Sequence, residues 1–429
     1  MSFTPLMVSQ QFHEILDRLE HTAEHLFITG RAGTGKSTLL RLFSGTTRKR
    51  VVVVAPTGVA ALQAGGQTIH SFFGFPPHLF GPGEIKKSRY AKLYQRIDAL
   101  VIDEISMLRA DLLDRIDLHL RINRGSMEPF GGVQLIMFGD LFQLPPVVTR
   151  EEAGILQSWG YDAPYFFAAK VLESPFSWSR IELTEVYRQQ EKRFLRLLED
   201  IRTSEADEDT LQELNERYAP HAEPGALTLI LAARNAKVDR INQTRLEALP
   251  GPERQYLASI TGKFNASVYP TDAILRLRSG AQVMFIRNDP DGQFVNGTLG
   301  VISGMTDDSV EVEIAREGQE SRKLNVEKIS WEVIRYGFGG PDDQLTREII
   351  GTFEQLPLRL AWAVTIHKSQ GQTFDKVIID LSGGMFEHGQ LYVALSRCRT
   401  LDGISLHQPI QPQDIRVDER VVDFYLHGG

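Results

Sequence analysis

Residues Leu26-Phe27-Ile28-Thr29-Gly30-Arg31-Ala32-Gly33-Thr34-Gly35-Lys36-Ser37 decide how the rest of the chain is read. An apolar run of strand character enters a glycine-rich turn, and the turn leads into a helical pattern that opens at Thr38. Glycines let backbone N–H groups close around phosphate oxygens, so Gly30, Ala32, Gly33, Thr34 and Gly35 form the expected cradle. Lys36 reaches the β- and γ-phosphates, Ser37 offers a hydroxyl to Mg²⁺, and Thr38 carries the set into the helix. Strand, loop and helix in this order predict a P-loop on a parallel α/β lobe.

Working outward, Ala99-Leu100-Val101-Ile102-Asp103-Glu104 reads as a second buried strand ending in two carboxylates. Asp103 is placed to hold Mg²⁺, and Glu104 to take a proton from an attacking water. A third strand, Val133 to Phe138, runs into Gly139-Asp140-Leu141-Phe142-Gln143-Leu144-Pro145-Pro146. Gln143 at that strand's tip can bond a γ-phosphate and report its loss through Leu144, Pro145 and Pro146. These elements establish a P-loop NTPase and nothing narrower. The Asn-Lys-x-Asp stretch of GTPases is missing, and the chain continues for some 300 residues where a small-molecule kinase would finish in one lobe.

The 429 residues, 42% hydrophobic and 24% charged, suit a globular protein of about three domains. No apolar run spans a bilayer and no basic segment followed by an apolar one opens the sequence, so a cytoplasmic location without membrane attachment is expected. Cys398 is the single cysteine, which rules out an intramolecular disulfide and a cysteine-rich zinc site. A net charge of −8 argues against coating nucleic acid by bulk charge, so any nucleic-acid site must be local.

With the motifs laid in order, the chain resembles the petite-integration-frequency (Pif) helicases of superfamily 1, class B. The resemblance rests on Gly30 to Ser37, Ala55 to Ala61, Gly66 to Phe73, Val101 to Met107, Gly139 to Pro146, Leu183 to Gln189, Val364 to Thr373 and Leu391 to Arg397, with a signature-like segment at Ser106 to Asp117. It implies an α/β fold of two RecA-like lobes with parallel sheets. It also implies a small Src-homology-3-like β-barrel inserted in the second lobe. The expected division is 1–178 for the first lobe, with a small insertion at about 74–95; 179–274 and 350–429 for the second; and 275–349 for the barrel, where short alternating runs and turn signals cluster.

By the same resemblance, Arg188 and Arg397 occupy arginine-finger positions, Gly371 lines the cleft through its backbone, and Gln11, with Gln10 as the alternative, reads adenine. The nucleic-acid face takes Thr57, Gly58, His70, Ser71, Phe72, Phe73 and Pro145 from the first lobe and Arg234, Asn235, Thr365, His367, Lys368 and Ser369 from the second. Of Phe72 and Phe73, one is expected in the core and one under a base. His367 has no second metal-type ligand at close spacing. Gly74 to Arg89, with Lys86, Lys87 and Arg89, is a wedge or a basic surface loop.

The reading is an ATP- and Mg²⁺-dependent motor that travels 5′ to 3′ on single-stranded DNA as a monomer. It would unwind duplex or forked DNA, with G-quadruplexes and RNA–DNA hybrids left open as substrates. A RecD-like helicase, a translocase that does not separate strands and a nucleotide-regulated switch are the rivals.

Overall fold

The computed structural model describes residues 9–173, 176–189, 191–225, 227–314, 321–339 and 344–427; the ends of the expected outer domains, 1–8 and 428–429, lie outside them. The first lobe is built on β1 (His25–Gly30), β2 (Val51–Ala55), β3 (Gln67–Thr68), β4 (Ala99–Ile102), β5 (Gln134–Phe138) and β6 (Trp178–Leu183). Among the described residues they form one parallel sheet in the order β3-β2-β4-β5-β1-β6. Its inner strands are apolar without alternation because helices cover both faces. Leu26, Ile28, Val101, Ile136 and Phe138 point to one side, under Phe12, Ile15, Leu39 and Phe43 of the helices Gln10–His21 and Lys36–Thr46. Phe27, Leu100, Ile102, Leu135 and Met137 point to the other, under the helix Ala110–Arg124.

β6 corrects the expected lobe boundary. Residues 179–183, assigned by sequence to the second lobe, pair one for one with β1, as far as Leu183 opposite Gly30.

The parallel sheet of the second lobe opens with β7 (Leu229–Ala232) and is interrupted after the helix Asn235–Ala248. β8 (Arg254–Leu257), β9 (Ser259–Gly262), β10 (Ile274–Leu277), β11 (Gln282–Phe285), β12 (Leu299–Met305), β13 (Ser309–Ile314), β14 (Arg322–Glu327), β15 (Ile329–Gly339), β16 (Gln344–Gln355) and β17 (Leu358–Leu360) are all antiparallel. Their sheets run β14-β13-β12-β11-β17, β15-β16-β9 and β10-β8. The pairings therefore span 254–360 rather than 275–349, because β8 pairs with β10, β9 completes the edge of β16 and β17 that of β11. The parallel sheet then resumes with β18 (Ala363–Thr365), β19 (Val377–Asp380) and β20 (Ile404–Leu406), in the order β18-β7-β19-β20.

Two long-range contacts tie these parts together. The β15–β16 hairpin leans on the first lobe, where the Tyr336 hydroxyl accepts the Val53 N–H and the Gln67 amide donates to the Ile334 carbonyl. The last helix, Glu419–His427, crosses back from the second lobe and stacks Phe424 on Phe167 of the first. Among the described residues no helix is long and apolar enough to cross a membrane.

Candidate functional site in the cleft between the lobes

The P-loop leaves β1 and ends where the helix Lys36–Thr46 begins, so the unpaired N–H groups of the helix's first turn face the loop. Gly33 and Gly35 have φ of 85° and 89°, a region that favours glycine. Space demands it as well: a Cβ on Gly33 would lie 2.5 Å from Cβ of Arg188. The Lys36 Nζ donates to the carbonyls of Gly30 and Arg31 at 2.5 and 3.0 Å, and burial pushes its pKa down against the pull of Asp140 and Glu104. Thr34 is buried and spends its hydroxyl on the Arg31 carbonyl, so it shapes the loop from inside. Ser37 is exposed on the first helical turn and Thr38 is half-buried beside it.

Asp103 and Glu104 sit at the tip of β4. The Glu104 N–H donates to Asp103 Oδ1 at 3.0 Å, and Glu104 holds φ 52°, ψ 45°, a left-handed conformation unusual for a side-chain-bearing residue. Such strain persists only where the surroundings over-determine it. Burial pushes Asp103 up to about 6, and burial with the neighbouring Asp103 charge pushes Glu104 up to about 7. A carboxylate with that affinity for protons suits a general base at neutral pH. The Ser37 hydroxyl and the Asp103 carboxylate are hard oxygen donors of the kind Mg²⁺ takes. Among the described residues no group of three or more His, Cys, Asp and Glu gathers as a metal cage. A Mg²⁺ ion here would take its remaining ligands from nucleotide oxygens and water.

Across the cleft, Arg397 is 1% exposed and donates from Nε to the Val393 carbonyl and from Nη2 to Ser396 Oγ, at 2.8 Å each. Its Nη1 makes only long contacts, 3.5 and 3.4 Å, to the carbonyls of Ser369 and Gln372. Arg188 donates to the carbonyls of Ser396 and Gly371 at 3.2 and 3.3 Å. These acceptors are all neutral. Burial pushes Arg188 down to about 10, and burial with the Arg188 charge pushes Arg397 down to about 9. Two desolvated guanidiniums beside a P-loop form a pair that an anion would stabilise.

Three residues escaped the sequence reading. Gln370 donates at 3.2 Å to both Glu104 Oε2 and Gln143 Oε1, and Gln143 in turn donates to Asp140 at 3.0 Å. The Tyr392 hydroxyl accepts the Ala32 N–H at 2.9 Å, which takes that amide out of the phosphate cradle. Arg202, 1% exposed, lies over the Phe142 ring and 3.6 Å from Asp140. Gln370 lies within the Val364 to Thr373 motif, but its partners, like those of the other two, lie far along the chain or a whole lobe away.

The strand-facing set divides. Arg234, Asn235 and Lys368 are exposed, with Arg234 near the half-exposed Phe386 ring. Ser71 is also exposed, and Pro145, Thr57 and Gly58 are partly so, although Thr57 caps the helix Gly58–Ala64 and Gly58 is pressed on Val268. Phe72 and Phe73 correct the expectation of one stacking ring: both are buried and edge to face with each other, Phe72 also edge to face with Tyr94 and Phe73 stacked on it, so neither offers a face to a base. Thr365 and Ser369 are buried too, and their hydroxyls bond their own turn. His70 is half-buried, and burial lowers its pKa. His367 meets a carboxylate after all, with Glu387 Oε2 at 2.7 Å from Nε2. Gln11 donates to the Glu182 carbonyl at 2.7 Å, whereas Gln10 pairs with Glu14 on the helix surface.

Two RecA-like lobes with a P-loop, an acidic strand tip and facing arginines define a P-loop NTPase of the two-lobed motor class. The sequence profile of the PIF1-like helicases matches residues 7–211, and that of the UvrD-like helicase C-terminal domain matches residues 360–401. The ATP-dependent DNA helicase Pif1 of Bdellovibrio bacteriovorus is 32% identical over 95% of this chain and 89% of its own length. The human ATP-dependent DNA helicase PIF1 is 36% identical over 94% of this chain, which spans 61% of that longer protein. Among solved structures, Bacteroides sp. Pif1 with ADP-AlF4 superposes with a TM-score of 0.91 at 40% identity, covering 98% of this chain and 97% of its own. The same Bacteroides protein bound to single-stranded DNA, also 40% identical with the same coverage, superposes with a TM-score of 0.69. The chain belongs to the PIF1-like helicase family.

Proposed function

We propose that this protein is an ATP-dependent DNA helicase that moves 5′ to 3′ along a single strand and separates the duplex ahead of it. The observation that carries the reading is the cleft itself, where the P-loop and Glu104 of one lobe face the buried, neutrally bonded Arg397 of the other. Relatives crystallised with ADP-AlF4 and with single-stranded DNA support the two ligands.

In this mechanism Lys36 exchanges the Gly30 and Arg31 carbonyls for the β- and γ-phosphates, which the helix N-terminus also holds. Ser37 and Asp103 would hold Mg²⁺, which when bound would supply charge neutralisation. Glu104 takes a proton from the attacking water. Arg397 gives up its long Nη1 contacts and Arg188 its two carbonyls for the developing γ-phosphate charge, which draws the lobes together. Phosphate loss is read by Gln143 and reverses the closure.

The strand runs over the exposed Arg234, Asn235 and Lys368 and past Ser71. A groove of about 600 Å³ extends this path, lined by Lys86 and Arg89 of the first-lobe insertion with Lys263 and Arg335 of the antiparallel sheets, and its charge suits a phosphate backbone at the fork. The five-stranded antiparallel sheet β14-β13-β12-β11-β17 supports the reading of a Src-homology-3-like module beside the channel. The fall in TM-score from 0.91 with ADP-AlF4 to 0.69 with single-stranded DNA, at equal identity, supports a rearrangement on strand binding.

Steady-state ATP hydrolysis with and without a thymidine oligonucleotide tests the proposal. The strand is expected to stimulate turnover, Lys36→Ala to abolish it, and Arg397→Ala to lower kcat by about 10³. Hydrolysis indifferent to the oligonucleotide would overturn the reading.

A further inference from the structure

The amides of Gln370 and Gln143 join two carboxylates from end to end. Asp140 and Glu104, when ionised, can only accept, so Gln143 must turn its NH₂ to Asp140 and its carbonyl to Gln370. Gln370 must then give one N–H to Gln143 and the other to Glu104. A single orientation of both amides satisfies the chain, and each bond polarises the next. Asp140, Gln143 and Glu104 belong to the first lobe and Gln370 to the second, so within this chain of side chains Gln370 makes the crossing between the lobes.

Its backbone position matters as much. Gln370 directly follows the turn His367–Ser369, which presents Lys368 to solvent. The carbonyls on either side of it, Ser369 and Gly371, are acceptors of Arg397 and Arg188. A shift of this turn moves the contact on Glu104 and the resting contacts of both arginines in one step.

We propose that Gln370 is the positioning residue through which a strand held at the His367–Ser369 turn sets the orientation of Glu104. Gln370 contacts Glu104 and Gln143, and its action is on the orientation of the base. The inference rests on the helicase reading above and adds the element that makes hydrolysis depend on the strand.

The test compares the native protein with Gln370→Met, which keeps the length and apolar stem of the side chain but no amide, and with Gln370→Ala. Measured are kcat and KM for ATP with and without a thymidine oligonucleotide, and the Kd of the labelled oligonucleotide by anisotropy. Misplacing a general base by about 1 Å costs up to ~10²-fold, so both variants are expected to lose about tenfold in the ratio of strand-stimulated to basal kcat, with KM and Kd held within about twofold. If stimulated and basal kcat fall by the same factor, or neither falls, Gln370 does not couple the strand to Glu104 and the inference is overturned. A native protein that the strand fails to stimulate would instead sink the helicase reading, so the two failures are distinguishable.

Discussion

Glu104 shows how much one side chain can ask of its surroundings. Its carboxyl titrates near 7 instead of the ordinary 4.5, so between those values the folded protein holds a proton that the unfolded chain releases. Stability from this group is therefore complete below about pH 4.5 and is lost as pH rises through about 7. Glu104→Gln removes the charge, keeps an acceptor for Gln370 and escapes that penalty. The variant is expected to be more stable than the native protein by ~1–2 kcal/mol at about pH 8, with no gain near pH 4.5, while losing hydrolysis. Thermal midpoints at the two pH values check this; a gain that does not depend on pH would contradict it. Trading activity for stability in this way is what a strained, desolvated base at a functional site predicts.

At the scale of elements, the two lobes meet through backbone as well as side chains. Gly389 precedes the helix Gln390–Leu395 with φ 71°, and a Cβ there would lie 2.3 Å from the carbonyl oxygens of both Phe142 and Gln143. The start of a second-lobe helix is thus seated on the loop that carries Gln143, the proposed γ-phosphate sensor. Gly389→Ala adds a left-handed strain and a collision that only lobe separation relieves, for an expected cost of ~1–3 kcal/mol. A lowered thermal midpoint and a raised KM for ATP are the readouts; an unchanged KM would mean that the cleft tolerates the separation. Phe72 and Phe73 make the complementary case. Their sequence permits a stacking platform, yet the short helix Ile69–Phe73 turns both rings inward against Phe75, Tyr94 and Tyr336. Burying such rings brings ~1.5–3 kcal/mol each, and that gain is present whether or not a strand is bound.

At the scale of the whole molecule, the chain closes on itself. The helix Glu419–His427 follows the second lobe and returns to the first, where the Phe424 ring stacks 4.3 Å from Phe167 and 6.0 Å from Trp178. Beside it the Tyr425 hydroxyl bonds the Glu182 carboxylate, and the Tyr425 ring packs against Phe142. This strap touches the edge strand β6 and the sensor loop together. Phe424→Ala is expected to cost ~1–3 kcal/mol, less than a fully buried phenylalanine because the site is half-open. It should also weaken the strand's stimulation of hydrolysis by loosening the loop that carries Gln143. Calorimetry and the stimulated kcat check both effects, and a stability loss with full stimulation would confine the strap to a structural role.

The sequence by itself determined whatever chemistry is written in consecutive residues. Gly30 to Ser37, Asp103 with Glu104, and the Gly139 to Pro146 loop are legible because a turn, a strand tip and a helix start are local events, set by glycine φ, burial of short apolar runs and helix-end hydrogen bonding. The repeat of such motifs in order also made two lobes legible. Only the tertiary structure decided which lobe owns β6, since the edge strand has no signature beyond its partner β1. It alone decided that 254–274 and 350–360 pair into the antiparallel sheets, and that Thr365 and Ser369 turn inward. The same holds for Gln370 between Glu104 and Gln143, Tyr392 on Ala32 and Arg202 beside Asp140. Each of these joins residues far apart along the chain, where spacing carries no information and only the packing of one lobe on the other brings donor to acceptor.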